Sequence, residues 1–174
     1  MINYIINHLK NNYKINSDEF VIIAPDAGAT KRAFSLASKL KLPTMIMHKE
    51  RNYDIPNQIN NTILVGKREY IINKTAIIID DICDTFGTIN SAGAVLLDHG
   101  AKEVICVVTH GIFSNPAIER INNNSFISKI ITTNTIPQHI NITLSDKIEV
   151  IDISELIANT ISIIVLGGSV SNLF

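Results

Sequence analysis

TAIIIDDICDTFGTINSAGAVLLDHGAKEVICVVTH, residues 75–110, reads as a strand, an acidic loop, a helix and a second strand. Thr75–Asp80 is apolar without alternation, the pattern of a strand buried on both faces. Ile89, Ala92 and Leu96 follow at helical spacing, and Gly100 stands where the left-handed residue beyond a helix belongs. Glu103–His110 (EVICVVTH) is again strand-like. Strand, crossover helix and strand make a βαβ unit, whose two strands run parallel and deliver their carboxyl ends to one sheet edge.

The alternation continues in both directions. Upstream, Ile2, Ile5, Ile6, Leu9 and Tyr13 mark an amphipathic helix, and FVIIAP (Phe20–Pro25) a buried strand. Ala33, Phe34, Leu36, Ala37 and Leu40 mark a helix that stops before Pro43. Thr44–Met47 reads as a strand, and the polar stretch His48–Asn61 as a loop. Downstream, Asn115-Pro116 offers an N-cap with proline at the first helical position. Ile127–Thr132 and Ile148–Ile151 read as strands. Asp152 with Glu155 has capping-box spacing for a last helix through Leu156, Ile157 and Ile161. The expectation is one α/β domain over residues 1–174, a mostly parallel sheet between two helical layers.

Composition narrows the partners. The chain is 46% hydrophobic and 18% charged, enough apolar content for a sizeable core. Its formal net charge of −1 supplies no overall field for nucleic acid, so any bound anion must be held locally. The opening MINYIINHLK is amphipathic and has neither the apolar core nor the cleavage site of a leader. The late apolar run Ile161–Leu166 is far too short to span a bilayer. Cys83 and Cys106 lie in or beside strand-like runs and read as buried, reduced thiols in a cytoplasmic protein.

The chemistry should lie in loops at the carboxyl edge of the sheet. In IIIDDICDTFGT (Ile77–Thr88) a buried strand runs into two adjacent carboxylates, Asp80 and Asp81. Neighbouring carboxylates repel one another, so they need a compensating role. Vicinal sugar hydroxyls supply one, because a carboxylate accepts hydrogen bonds from them. Asp84, Thr85, Phe86, Gly87 and Thr88 then enter a helix, whose unpaired N–H groups and positive end suit a phosphate. A diol on the carboxylates and a phosphate on the helix end together describe ribose 5-phosphate. An N-capped helix with a solvated acidic loop is the plainer alternative for any one of these residues alone.

The string resembles the phosphoribosyl-binding loop of the type I phosphoribosyltransferase fold. Around it, IAPDAGATKR (Ile23–Arg32) resembles the pyrophosphate loop of eukaryotic-type ribose-phosphate pyrophosphokinases, and HKER (His48–Arg51) their flexible-loop motif. THGIFSNPAIERIN (Thr109–Asn122), TNTIPQ (Thr133–Gln138), IEVIDIS (Ile148–Ser154) and GGSVSNLF (Gly167–Phe174) follow in the family's order. The match covers nearly all of this chain but only the second half of a usual member. Two positions depart from the pattern: Ala29 replaces a second glycine, and Phe86 replaces a glycine or cysteine.

The resemblance implies a type I phosphoribosyltransferase-like three-layer α/β/α sandwich. It also implies a reaction, ATP + ribose 5-phosphate → phosphoribosyl pyrophosphate + AMP, with Mg²⁺. Asp80, Asp81, Asp84, Thr85, Phe86, Gly87 and Thr88 would hold ribose 5-phosphate. Asp26, Ala27, Gly28 and Ala29 would hold pyrophosphate, with Asp26 also a Mg²⁺ ligand. Lys49 and Arg51 would be catalytic, stabilising the transferring diphosphoryl group. Ser169, Ser171 and Phe174 would belong to an allosteric phosphate site. His110 reads as a structural, hydrogen-bonded histidine and His48 as a bystander. In the family the adenine pocket and a magnesium-binding histidine come from the amino-terminal half, which has no counterpart here. The implied partner is therefore a homo-oligomer or a chain supplying that half. A non-catalytic synthetase-associated regulatory subunit and a stand-alone phosphoribosyltransferase are the alternatives, and the HKER cations argue against the latter.

Overall fold

The computed structural model describes residues 1–51 and 59–173. In chain order its elements are α1 (Ile2–Asn12), β1 (Phe20–Ala24), α2 (Thr30–Leu40), β2 (Thr44–Arg51), β3 (Ile59–Val65), β4 (Thr75–Cys83) and α3 (Gly87–Asp98). They continue with β5 (Glu103–Gly111), α4 (Ala117–Asn123), β6 (Ile127–Thr133), α5 (Asn141–Leu144), β7 (Ile148–Ile151) and α6 (Ser154–Val165). Among the described residues one sheet runs in the order β3-β2-β1-β4-β5-β6-β7. Only the β2–β3 pair is antiparallel.

Strands without a polar face need cover on both sides, and this sheet has it. All of β1 and the first five residues of β4 are buried. On one face Ile5, Ile6 and Leu9 of α1, Leu36 and Leu40 of α2, and Leu156 of α6 pack on Ile22, Ile77 and Ile131. On the other, Ile89, Ala92 and Leu96 of α3 and Ile121 of α4 pack on Ile23, Ile78 and Ile130. Cys83 and Cys106 are free and buried, as expected. Burial pushes the Cys83 thiol up to about 12 and raises Cys106 as well.

Several boundaries differ from the sequence reading. The stretch from His48 is not simply a loop: β2 continues to Arg51 and pairs with β3, with Lys49 opposite Thr62. Asn60 and Asn61 are poor strand formers, and it is the pairing with β2 that makes this segment a strand. The strand read over Thr75–Asp80 is longer than expected, because β4 runs on through Asp81 to Cys83, where it pairs with Gly111. Helix α4 starts one residue late, with Pro116 rather than Asn115 at its N-cap. Asp152 is not the N-cap of α6; Ile153 is, and Asp152 Oδ1 instead accepts the Ser154 N–H at 2.8 Å. Of the three residues marking α6 only Leu156 is buried, while Ile157 and Ile161 are 49% and 56% exposed.

Helix α1 is tied down by one carboxylate. Glu149 of β7 lies 2.8 Å from His8 Nε2, accepts the Tyr13 hydroxyl at 3.1 Å and lies 3.4 Å from Lys129 Nζ. Partial burial opposes its charge, but His8, Tyr13 and Lys129 outweigh that and hold it below the usual glutamate range. Glu149→Gln is expected to cost about 1–2 kcal/mol in urea unfolding at neutral pH. A carboxyl with a lowered folded value stabilises above its unfolded value and loses that contribution on acidification. The difference between variant and parent should therefore fade as pH drops below about 4.

The turn into α3 is the second constrained place. Phe86, its N-cap, has φ +67°, and its ring is 2% exposed within the α3–α4 core. A left-handed conformation costs a non-glycine residue about 1–3 kcal/mol. Removing a buried phenylalanine ring costs about 3–5 kcal/mol. Lost packing outweighs relieved strain and decides the sign: Phe86→Gly should destabilise by about 2 kcal/mol in denaturant unfolding.

Candidate functional site

From β1 the chain winds outward through β2 and β3, then returns to the far side of β1 with β4 and proceeds outward again. The reversal lies between β1 and β4, where Ile23 pairs with Ile78 and both strands end at one edge. Ligands of open α/β sheets bind at such a crevice. The loops following β1 and β4 are those singled out from sequence, so topology brings the Asp26 and Asp80–Thr88 segments together.

In the first loop, Asp26 turns its carboxylate back on its own chain. Oδ1 accepts the Ala29 N–H at 3.0 Å, and the Asp26 carbonyl accepts the Thr30 hydroxyl at 3.3 Å. Gly28 leaves room for this fold-back, since a Cβ there would sit 3.2 Å from Asp26 Oδ1 and press on it. Ala27 is exposed. Ala29 is fully buried and packs into the core, so its methyl group points away from the loop surface.

The adjacent aspartates find their compensation in a residue the sequence reading left without a role. Arg32, in the first turns of α2, places Nη2 3.4 Å from Asp80 Oδ1 and 3.5 Å from Asp81 Oδ2. Its Nε is buried without a hydrogen-bond partner. The Asp80 side chain is 13% exposed and that of Asp81 56%. Burial raises Asp80, and the charges of Asp81 and Asp26 add to the rise. Partial desolvation opposes the charge of Asp81, but its neighbour Asp80, the Arg32 cation and backbone N–H groups together outweigh that and hold it low. Asp81 therefore ionises first. Two acceptors of different avidity at one edge suit a pair of vicinal hydroxyls.

Beyond them, Ile82–Ile89 line a pocket of ≈ 260 Å³. Asp84, Thr85 and Thr88 are exposed at it, and Gly87 opens α3 with no side-chain cap on the helix. Backbone N–H groups at an uncapped helix start are anion donors. Phe86 contributes backbone here, because its ring faces the core. Arg120 of α4, also without an assigned role in the sequence reading, donates from Nη1 to the Thr85 carbonyl at 3.0 Å. Both arginines sit within motifs quoted above, but nothing in a linear string shows which carboxylate or carbonyl a guanidinium reaches.

Lys49 and Arg51 lie on the backbone of β2, and their side chains fall outside the described residues. A hollow lined by Met47, Thr62, Gly87 and Thr88 sets the β2–β3 hairpin beside the start of α3. Ser169, just before a single 3-10 turn beyond α6 (Val170–Leu173), hydrogen-bonds to Ser171 within it at 3.0 Å, and Phe174 lies outside the described residues. His110 meets the structural expectation, with Nδ1 2.9 Å from the Thr135 hydroxyl. Among the described residues no group of three or more His, Cys, Asp or Glu side chains is gathered to hold a metal, and no helix is long and apolar enough to cross a membrane.

Comparison with known proteins agrees with this geometry. The family described as "Phosphoribosyl synthetase-associated domain" matches residues 62–174. Ribose-phosphate pyrophosphokinase 4 of Saccharomyces cerevisiae is 41% identical over 170 residues, which is 98% of this chain and 49% of that protein. Ribose-phosphate pyrophosphokinase 2 of Schizosaccharomyces pombe is 42% identical over 170 residues, 98% of this chain and 51% of that protein. The chain thus spans about half the length of the curated relatives it matches. The crystal structure of phosphoribosylpyrophosphate synthetase from Mycobacterium smegmatis superposes with a TM-score of 0.76 at 32% identity, over 96% of this chain and 50% of that one. An adenine phosphoribosyltransferase superposes at 0.52 with 16% identity, over 72% of this chain and 75% of that one, a likeness of fold alone. A shared phosphoribosyltransferase-like sandwich and these relatives agree: the chain belongs to the phosphoribosyl synthetase-associated domain family.

Proposed function

We propose that this chain is the sugar-phosphate-binding half of a ribose-phosphate pyrophosphokinase, acting with a second half supplied by another chain or segment. The observation that carries the reading is the single β4–α3 connection. It presents Asp80 and Asp81 to a diol and the start of α3 to a phosphate, beside the Asp26 loop at the β1–β4 crevice. Carboxylate acceptors followed by helix-start donors along one connection suit ribose 5-phosphate, which carries both a diol and a phosphate.

In the proposed reaction the 1-hydroxyl of ribose 5-phosphate attacks the β-phosphorus of ATP. The new O1–P bond forms as the bond between Pβ and the α–β bridging oxygen breaks, AMP leaves with that oxygen, and the hydroxyl proton passes to solvent. The chain's own residues position the nucleophile: Asp80 and Asp81 orient the sugar, and Asp84–Thr88 fix its phosphate end. Lys49 and Arg51 balance charge on the diphosphoryl group in flight, an electrostatic role. Magnesium is compatible with the residues present. It commonly takes one or two protein carboxylates and completes its shell with water and substrate phosphates. Asp26 offers one oxygen beyond the one bonded to Ala29. When bound, the ion would neutralise phosphate charge.

Calorimetry with ribose 5-phosphate tests the sugar site. Asp80→Asn combined with Asp81→Asn should weaken binding at least tenfold, since each charge-assisted hydrogen bond contributes about 1.5–3 kcal/mol before solvent screening. Equal affinity in a folded double variant would sink the assignment. The reaction itself is tested by AMP release from ATP and ribose 5-phosphate, using the chain alone and then with a separately expressed amino-terminal half of a relative. Activity is expected only in the mixture, because in-line transfer needs both substrates positioned together. In that mixture Lys49→Ala and Arg51→Ala should lower kcat and kcat/KM together while leaving ribose 5-phosphate affinity unchanged. A mixture that binds the sugar but releases no AMP would favour the non-catalytic regulatory reading.

A further inference from the structure

The pocket at the start of α3 depends on one peptide unit, that joining Thr85 to Phe86. Its carbonyl accepts a hydrogen bond from Arg120 Nη1 at 3.0 Å. The unit is therefore held at its carbonyl. The grip matters because φ of Phe86 is +67°, a region a phenylalanine avoids. Turning this peptide over by about half a turn would carry φ of Phe86 to a negative value that any residue accepts. The strained turn thus has an easy escape, and what opposes it is the Arg120 bond on the peptide.

Helix α4 is built to supply that bond. Arg120 projects from α4 to Thr85, just before the start of α3. Asn124, the C-cap of α4, donates from Nδ2 to Asn90 Oδ1 in the first turn of α3 at 2.7 Å, which ties the end of α4 to the same region. Asn124 also accepts the Phe126 and Ile127 N–H groups, which fixes the end of α4 against the start of β6. Arg120 is itself exposed, so its loss should not empty the core. On the other side of the turn the Cys83 carbonyl accepts the Ile112 and Phe113 N–H groups.

We infer that Arg120 is a positioning residue for the phosphate pocket, locking the Thr85–Phe86 peptide so that the amides of Gly87 and Thr88 face the ligand. Arg120 acts through the Thr85 carbonyl, not by ion-pairing with the phosphate. The ligand side of this inference rests on the reading of Ile82–Ile89 as a phosphate pocket; the locking of the peptide does not.

Two measurements separate the possibilities. In the ligand-free protein, Arg120→Met should speed hydrogen exchange at the Phe86 amide about tenfold or more, leaving the β4 and β5 core amides unchanged. Arg120→Lys, which can still donate to a carbonyl, should restore most of the protection. Unchanged exchange at Phe86 in a folded Arg120→Met protein, or in Arg120→Gln should that variant not fold, overturns the inference whatever the ligand proves to be. In calorimetry Arg120→Met should weaken ribose 5-phosphate by about tenfold, equal to about 1.4 kcal/mol. A positioning role makes that loss the same at low and high salt, whereas loss of a direct ion pair would shrink as salt rises. A salt-dependent loss, or faster exchange with unaltered affinity, overturns the positioning role. A parent protein that binds no ribose 5-phosphate refutes the ligand reading, and the exchange experiment still decides whether Arg120 holds the turn.

Discussion

A strand with no polar face has one stable place, the interior of a sheet roofed on both sides, and β4 is that strand. Its first five residues are buried, so it cannot be an edge. Helices must cover it above and below, and parallel neighbours must be reached by crossovers. From that follows the position of every loop that matters. With β1 on one flank and β5 on the other, the carboxyl ends of three strands converge, and the polar residues excluded from the core collect there.

The convergence creates an electrostatic difficulty that the fold resolves locally. The chain as a whole is nearly neutral, so no distant field assists an anion or offsets a carboxylate. Asp80, Asp81 and Asp26 crowd one edge, and the guanidinium of Arg32 reaches across from α2 to the first two. A cation placed between two like charges lets both remain acceptors at a modest cost in desolvation. Tying α2 to the end of β4 also couples the loop after β1 to the loop after β4.

Much of this was legible in the chain. The periodicity of Ile89, Ala92 and Leu96 and the apolar runs of β1, β4 and β5 carry their own geometry. The Asp80–Thr88 string carries its chemistry in residue order. What stayed hidden depends on contacts between segments. The strand β3 is polar in part and exists through its partner β2. Phe86 looks like a misfit among small residues until its ring is seen in the core, where burial outweighs backbone strain. Arg32 and Arg120 look like ordinary surface cations until their targets, 48 and 35 residues away, are in view. Composition and spacing are local properties, whereas a long side chain takes its meaning from wherever its end group lands.

The two cysteines give the molecule a built-in stopwatch. A thiol reacts as thiolate, and burial keeps both sulfurs protonated and shielded. Cys106 lies in the middle of β5 with neighbouring strands on both sides, so a maleimide reaches it only when the sheet comes apart. Cys83 lies at the last residue of β4, on the wall of the pocket before α3. A local opening of that wall would expose it without global unfolding. Labelling at Cys83 times the local opening, labelling at Cys106 times the global one, and their ratio measures how far the rim is looser than the centre.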